Sequence, residues 1–127
     1  MSLETPFHKA QGLGPSHSGV GHFWRQRITA VALIPLTIWF AISALGLVGD
    51  SIVPVLRFLQ NPVNAVLMGT FVGVSLYHMT LGIQEVILDY VPHPGFKFLL
   101  MLVNYVFAFA VAAACLFSLL TVVTTGT

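Results

Sequence analysis

The chain has 127 residues, of which 57% are hydrophobic and 7% charged, with a formal net charge of +1. A soluble domain carries roughly 25% charged residues, so this composition excludes an ordinary water-soluble globule. One domain's length, no basic cluster and no acidic run leave nothing that points to nucleic acid or to a disordered acidic tail. The single cysteine, Cys115, allows neither an intrachain disulfide nor a CxxC pair; in its long apolar run it reads as a small buried hydrophobe.

Residues 1–24 read as a polar N-terminal tail, and 25–127 as a membrane domain. The tail has no apolar core of signal-peptide length and little arginine, so it resembles neither a signal nor a transit peptide, and the mature chain is expected to begin near Met1. Ile28 to Val48 is uncharged and long enough to cross a hydrocarbon core of about 30 Å at about 1.5 Å per residue. Pro35 interrupts this first span, which membrane helices tolerate, often with a bend. Between spans, Asp50 to Gln60 is rich in Ile, Val, Leu and Phe; the pattern leaves open whether it forms a short interfacial helix. A second span covers about 63–88, opened by the cap and first-turn pair Asn61-Pro62 and closed by Pro92 and Pro94. A third covers about 97–123, and no charged side chain follows Phe98. The expected fold is an all-α membrane protein of three transmembrane helices.

Lys9, Arg25, Arg27 and Lys97 fall on one side of such a membrane and only Arg57 on the other. This asymmetry predicts a cytoplasmic N-terminus, with Trp24, Arg25 and Arg27 as a belt where span one begins. Small residues recur four apart at Gly69 and Gly73, at Ala108 and Ala112, and at Ala110 and Ala114. The glycine pair suggests close helix packing; the alanines are equally ordinary apolar filler.

The chemistry centres on His78, a polar ring well inside span two, where it is costly unless paired. At about 100° per residue, Gly82, Glu85 and Asp89 share its face within about 40°. Gly82 removes bulk one turn past the histidine, which suits a flat ligand such as a haem held through a ring nitrogen. A histidine bonded to a neighbouring helix is an equally good reading, and a proton or metal site a lesser one. No second histidine lies within a span, so a six-coordinate haem would need a ligand from another chain. Tyr90 lies roughly 18 Å along the axis from His78. Its phenol can donate a hydrogen bond to a carbonyl oxygen, and the carboxylate of Asp89 can tune that donor. An interfacial tyrosine and a solvated charge are the simpler accounts of the two. Arg27, on the same side, is an anchor for the helix end and a candidate partner for an anionic group, with His22 nearby. His8, His17 and His93 read as tail and turn residues.

The run His-Met-Thr-Leu-Gly-Ile-Gln-Glu-Val-Ile-Leu-Asp-Tyr-Val, residues 78–91, resembles the signature of the small hydrophobic membrane anchor of succinate dehydrogenase, the anchor that binds haem b. His-Phe-Trp-Arg-Gln-Arg-Ile-Thr-Ala at 22–30 is similar to that family's start of span one. The resemblance runs from Gly19 nearly to the end. It implies that the three spans pack with a partner anchor into a haem-binding bundle. His78 would be one axial ligand of haem b, the other coming from that second membrane anchor. Arg27, and more weakly His22, would face the propionates. Tyr90, supported by Asp89, would hydrogen-bond ubiquinone. FAD and the iron–sulfur clusters would reside only in the flavoprotein and iron–sulfur partner subunits, so this chain has no succinate site of its own. The implied location is the bacterial inner membrane, with the mitochondrial inner membrane second. A fumarate reductase anchor and a haem-free membrane scaffold are the alternatives.

Overall fold

The computed structural model describes residues 17–49 and 51–125, with the side chains of the first helix described from Val20 onward. Four helices follow in order: α1 (His17–Gly46), α2 (Val53–Gln60), α3 (Pro62–Tyr90) and α4 (Pro94–Thr125). α1, α3 and α4 are each long and apolar enough to cross a membrane, as expected from the three uncharged runs. Lys9 and His8 lie outside the described residues, as does the side chain of His17.

Helix α1 begins well before the uncharged run, because a helix is not confined to hydrocarbon: its 30 residues extend about 45 Å, longer than the apolar core. It continues through Pro35 without interruption. The segment left open between spans one and two forms α2, with Pro54 in its first turn and no buried residue. Asn61 caps α3 as its sequence suggests, its Oδ1 accepting from the amides of Val63 (3.0 Å) and Asn64 (3.4 Å). α3 ends at Tyr90, and Pro94 is the first residue of α4. Lys97 donates from Nζ to the Leu88 carbonyl at 3.5 Å, near the end of α3 where carbonyls lack helical partners. His93, expected only to shape the turn, accepts from the Phe96 amide at 3.3 Å and so helps start α4.

The short turn at 91–93 makes α3 and α4 antiparallel neighbours. α1 packs on the opposite flank of α3 and makes no backbone contact with α4. α3 is therefore the central element. On the side of α2, Phe40 stacks on Phe71 with centroids 4.8 Å apart, and Trp39 stacks on Phe58 at 6.0 Å.

Among the described residues the buried side chains are Ala65, Leu81, Ile87, Thr29, Thr80 and Asn104, half of them polar. Large apolar side chains such as Ile42, Phe109 and Phe117 face outward. This inside-out distribution follows from the solvent. Lipid gives no hydrophobic drive between helices, so polar contacts and small residues hold them together. Asn104, only 5% exposed, donates from Nδ2 to the Thr80 carbonyl at 3.0 Å and joins α4 to α3. Tyr105 donates to Gln84 Oε1 at 3.1 Å one turn away.

Two expectations are corrected. Cys115 is exposed rather than buried, because an apolar helix in lipid turns its hydrophobes outward. Only one glycine of the pair serves close packing: a Cβ at Gly69 would lie 3.5 Å from Leu119, whereas one at Gly73 would meet nothing within 4 Å. Both glycines, with Ala112, Ala114 and Cys115, line an apolar groove of about 510 Å³.

Asn104→Leu removes one interhelical hydrogen bond and one buried carbonyl oxygen that has no partner among the described residues. Membrane hydrogen bonds of this kind average about 0.6 kcal/mol. The thermal midpoint of the detergent-solubilised protein should therefore fall only slightly, and a collapse of assembly would contradict this weighting.

Candidate functional site

Two side-chain stripes meet between α1 and α3. On α1 the stripe is His22, Gln26 and Thr29, spaced i, i+4 and i+7; on α3 it is His78, Gly82 and Glu85, with the same spacing. Such spacings fall on one helix face. The helices are antiparallel, so the stripes mesh in opposite order. His22 Nδ1 pairs with Glu85 Oε1. Gln26 covers Gly82, its Nε2 lying 3.7 Å from where a Cβ would stand. Thr29 Oγ1 and His78 Nδ1 are hydrogen-bonded at 2.8 Å. Thr29 is buried at 8% exposure, so this bond lies inside the helix pair rather than at its edge.

Beside this ladder lies a cavity of about 600 Å³, lined by His22, Phe23, Gln26, Arg27 and Ala30 from α1 and His78 and Glu85 from α3. Its volume is within the range of about 300–1,000 Å³ usual for small-molecule and cofactor sites. Five of its seven lining residues, His22, Gln26, Arg27, His78 and Glu85, carry polar or charged side chains. Two lining residues carry buried polar atoms that have no hydrogen-bond partner among the described residues, His22 Nε2 and Gln26 Oε1. Arg27 is exposed and makes no ion pair among the described residues; its guanidinium rests over the Phe23 ring, 5.1 Å from the centroid. His78 is engaged only at Nδ1 among the described residues, so Nε2 is uncommitted.

The structure thus brings together His78, Arg27 and His22. It does not bring Asp89 and Tyr90 to the same cavity. Both sit exposed at the end of α3, Tyr90 at 80%, and neither side chain makes a hydrogen bond among the described residues. Gly82 faces α1: a Cβ there would lie 3.7 Å from Gln26 Nε2, an ordinary contact. Thr29 and Gln26, and the pairing of Glu85, do not stand out in the sequence. Their signal is the i, i+4, i+7 stripe of span one, which has meaning only once it is set against its mirror in span two.

Donor chemistry tests what this cavity can accept. Among the described residues no cluster of three or more His, Cys, Asp or Glu side chains is placed to hold a bare metal ion. A planar group needing one nitrogen ligand and a cationic partner for its acid groups is compatible with His78 Nε2, Arg27 and the unpartnered polar atoms of His22 and Gln26.

Fold and site define a three-span membrane protein with an open cavity, lined largely by polar and charged residues, between its first two spans. Residues 1–122 match the profile of the succinate dehydrogenase/fumarate reductase transmembrane subunits. The chain is 33% identical over 119 residues to the succinate dehydrogenase hydrophobic membrane anchor subunit of Paracoccus denitrificans, covering 94% of this chain and 92% of that one. It is 31% identical over 106 residues to the same subunit of Rickettsia felis, covering 84% and 88%, and 35% identical over 83 residues to that of Rickettsia bellii, covering 65% and 66%. No solved structure matches it. The chain belongs to the family of succinate dehydrogenase/fumarate reductase transmembrane subunits, as a hydrophobic membrane anchor.

Gly82→Ala adds a methyl at ordinary contact distance from Gln26 and should leave the yield of membrane-assembled protein unchanged. Gly82→Leu must push α1 from α3 and should lower that yield severalfold, a pattern read by quantifying the chain in solubilised membranes. Equal tolerance of both would show that the two stripes do not mesh.

Proposed function

We propose that this chain anchors a succinate:ubiquinone oxidoreductase in the bacterial inner membrane, holds haem b together with a second anchor subunit, and forms one wall of the ubiquinone-reducing site. The observation that carries the reading is His78: within a span and, among the described residues, bonded at one ring nitrogen only, beside an Arg27 without an ion pair in the same cavity. His78 Nε2 would ligate the iron, Arg27 would pair with the propionates, and the unpartnered Nε2 of His22 would stand nearby. When bound, the haem supplies a one-electron carrier. Flavin and iron–sulfur chemistry belongs to the partner subunits, where succinate is oxidised.

Ubiquinone is assigned to the far end of α3. Tyr90 and Asp89 stand exposed there, at the membrane side shared with Arg25, Arg27 and Lys97. On the distribution of basic residues this side is the cytoplasm. The Tyr90 phenol donates a hydrogen bond to a quinone carbonyl and orients it, Asp89 polarises that donor, and the phenol is placed to pass a proton as the quinone is reduced. The remaining walls come from the second anchor and the iron–sulfur subunit.

A haem-free scaffold is the second reading, favoured by one observation: the Thr29–His78 bond alone suffices to satisfy one polar edge of the ring. A reduced-minus-oxidised spectrum of the purified complex separates the two. It should show a b-type haem that disappears in His78→Ala; a b-type spectrum surviving that change would overturn the ligand assignment. Tyr90→Phe should slow quinone reduction about tenfold or more, the loss of one critical hydrogen bond. Succinate oxidation by an artificial acceptor should be unaffected, and equal loss of both activities would argue against Tyr90 at the quinone.

A further inference from the structure

The Thr29 hydroxyl has one proton and three polar neighbours. Oγ1 lies 2.8 Å from the Arg25 carbonyl, 3.0 Å from the Gln26 carbonyl and 2.8 Å from His78 Nδ1. Carbonyl oxygens only accept, whereas a neutral imidazole donates from one nitrogen and accepts at the other. If the hydroxyl donated to Nδ1, its lone pairs would face two carbonyl oxygens at 2.8 and 3.0 Å with no proton between them. If it donates to the carbonyl pair, every contact is satisfied: O–H to the carbonyls, and Nδ1–H to Oγ1.

We infer that Thr29 is a positioning residue that holds His78 as the Nδ1-protonated tautomer, so that the free lone pair lies on Nε2. The helix backbone enforces this. The Arg25 carbonyl is one turn back along α1, so the hydroxyl proton is drawn away from the histidine and its oxygen is left as an acceptor. Burial of Thr29 shields its hydroxyl from competing water. A ring nitrogen free to bind iron is thus prepared before any ligand arrives. The bond also fixes the ring plane and makes the imidazole a stronger electron donor, as oxygen partners of metal-bound histidines do. The inference rests on the haem reading proposed above.

Thr29→Val keeps the volume and removes the acceptor; Thr29→Ser keeps the hydroxyl. In complex purified from membranes, haem b per complex and its midpoint potential are measured, with succinate oxidation by an artificial acceptor as the assembly control. Thr29→Val should weaken haem retention by about 10-fold or more. The haem that remains should have a higher potential, because a less electron-rich imidazole stabilises the ferric state less. Thr29→Ser should restore both. Haem content and potential unchanged in Thr29→Val would overturn the role of Thr29 while leaving the haem reading intact. A parent complex without any b-type spectrum would instead overturn the haem reading, and this inference with it. Should Thr29→Val fail to assemble, Thr29→Cys supplies a weaker acceptor of similar size: a raised potential supports the inference and the parent value overturns it.

Discussion

A polar side chain surrounded by hydrocarbon must find a partner, and in this chain that requirement sets how the helices meet. Lipid tails solvate leucine as well as another helix does, so apolar surface gives little reason for one span to choose another. The polar contacts of α3 supply the reason. Its His78 and Glu85 engage Thr29 and His22 of α1, and its Thr80 carbonyl receives Asn104 of α4. Each flank of α3 thus has its own polar attachment, while α1 and α4 remain apart. The inside-out burial pattern, with polar groups among the few buried side chains and phenylalanines outside, is the same constraint seen from the surface.

The attachment to α1 does more than hold two helices. Among the described residues it uses one nitrogen of His78 and leaves the other, and it uses one nitrogen of His22 and leaves the other buried without a partner. Arg27 on the same wall has no acid partner among the described residues. Completed contacts and incomplete ones lie within a few turns of each other. The completed set joins α1 to α3, and the incomplete set holds the polar atoms that a ligand of the proposed site would satisfy. At the end of α3, Tyr90 and Asp89 are exposed in the same unfinished way. A family of membrane anchors, whose partners are other subunits, accounts for a chain that leaves so much polar chemistry open on its surfaces.

Much of the fold is legible in the sequence. Uncharged runs mark the spans, Asn61-Pro62 marks the start of α3, and one histidine stands out because its cost in lipid is high. The departures share a cause. A buried Cys115 and a close-packed Gly73 follow from the rules of a packed interior, but in a three-helix layer most apolar positions face outward. That Gly82 stands against Gln26 of another helix is likewise visible only in the fold. Thr29 and Gln26 give no warning, because a single threonine or glutamine near a helix end is ordinary.

By itself the sequence determined the number of spans, their approximate limits, the basic asymmetry and the isolation of His78, since hydropathy and helical period are local properties that need no neighbour. The tertiary structure alone decided that the stripe His22, Gln26, Thr29 lies against His78, Gly82, Glu85, and hence which nitrogen of His78 is occupied. That depends on the register of two helices joined through α2 and its flanking turns. Register is a property of the pair: sliding either helix by one turn would keep every local signal and break every one of these contacts.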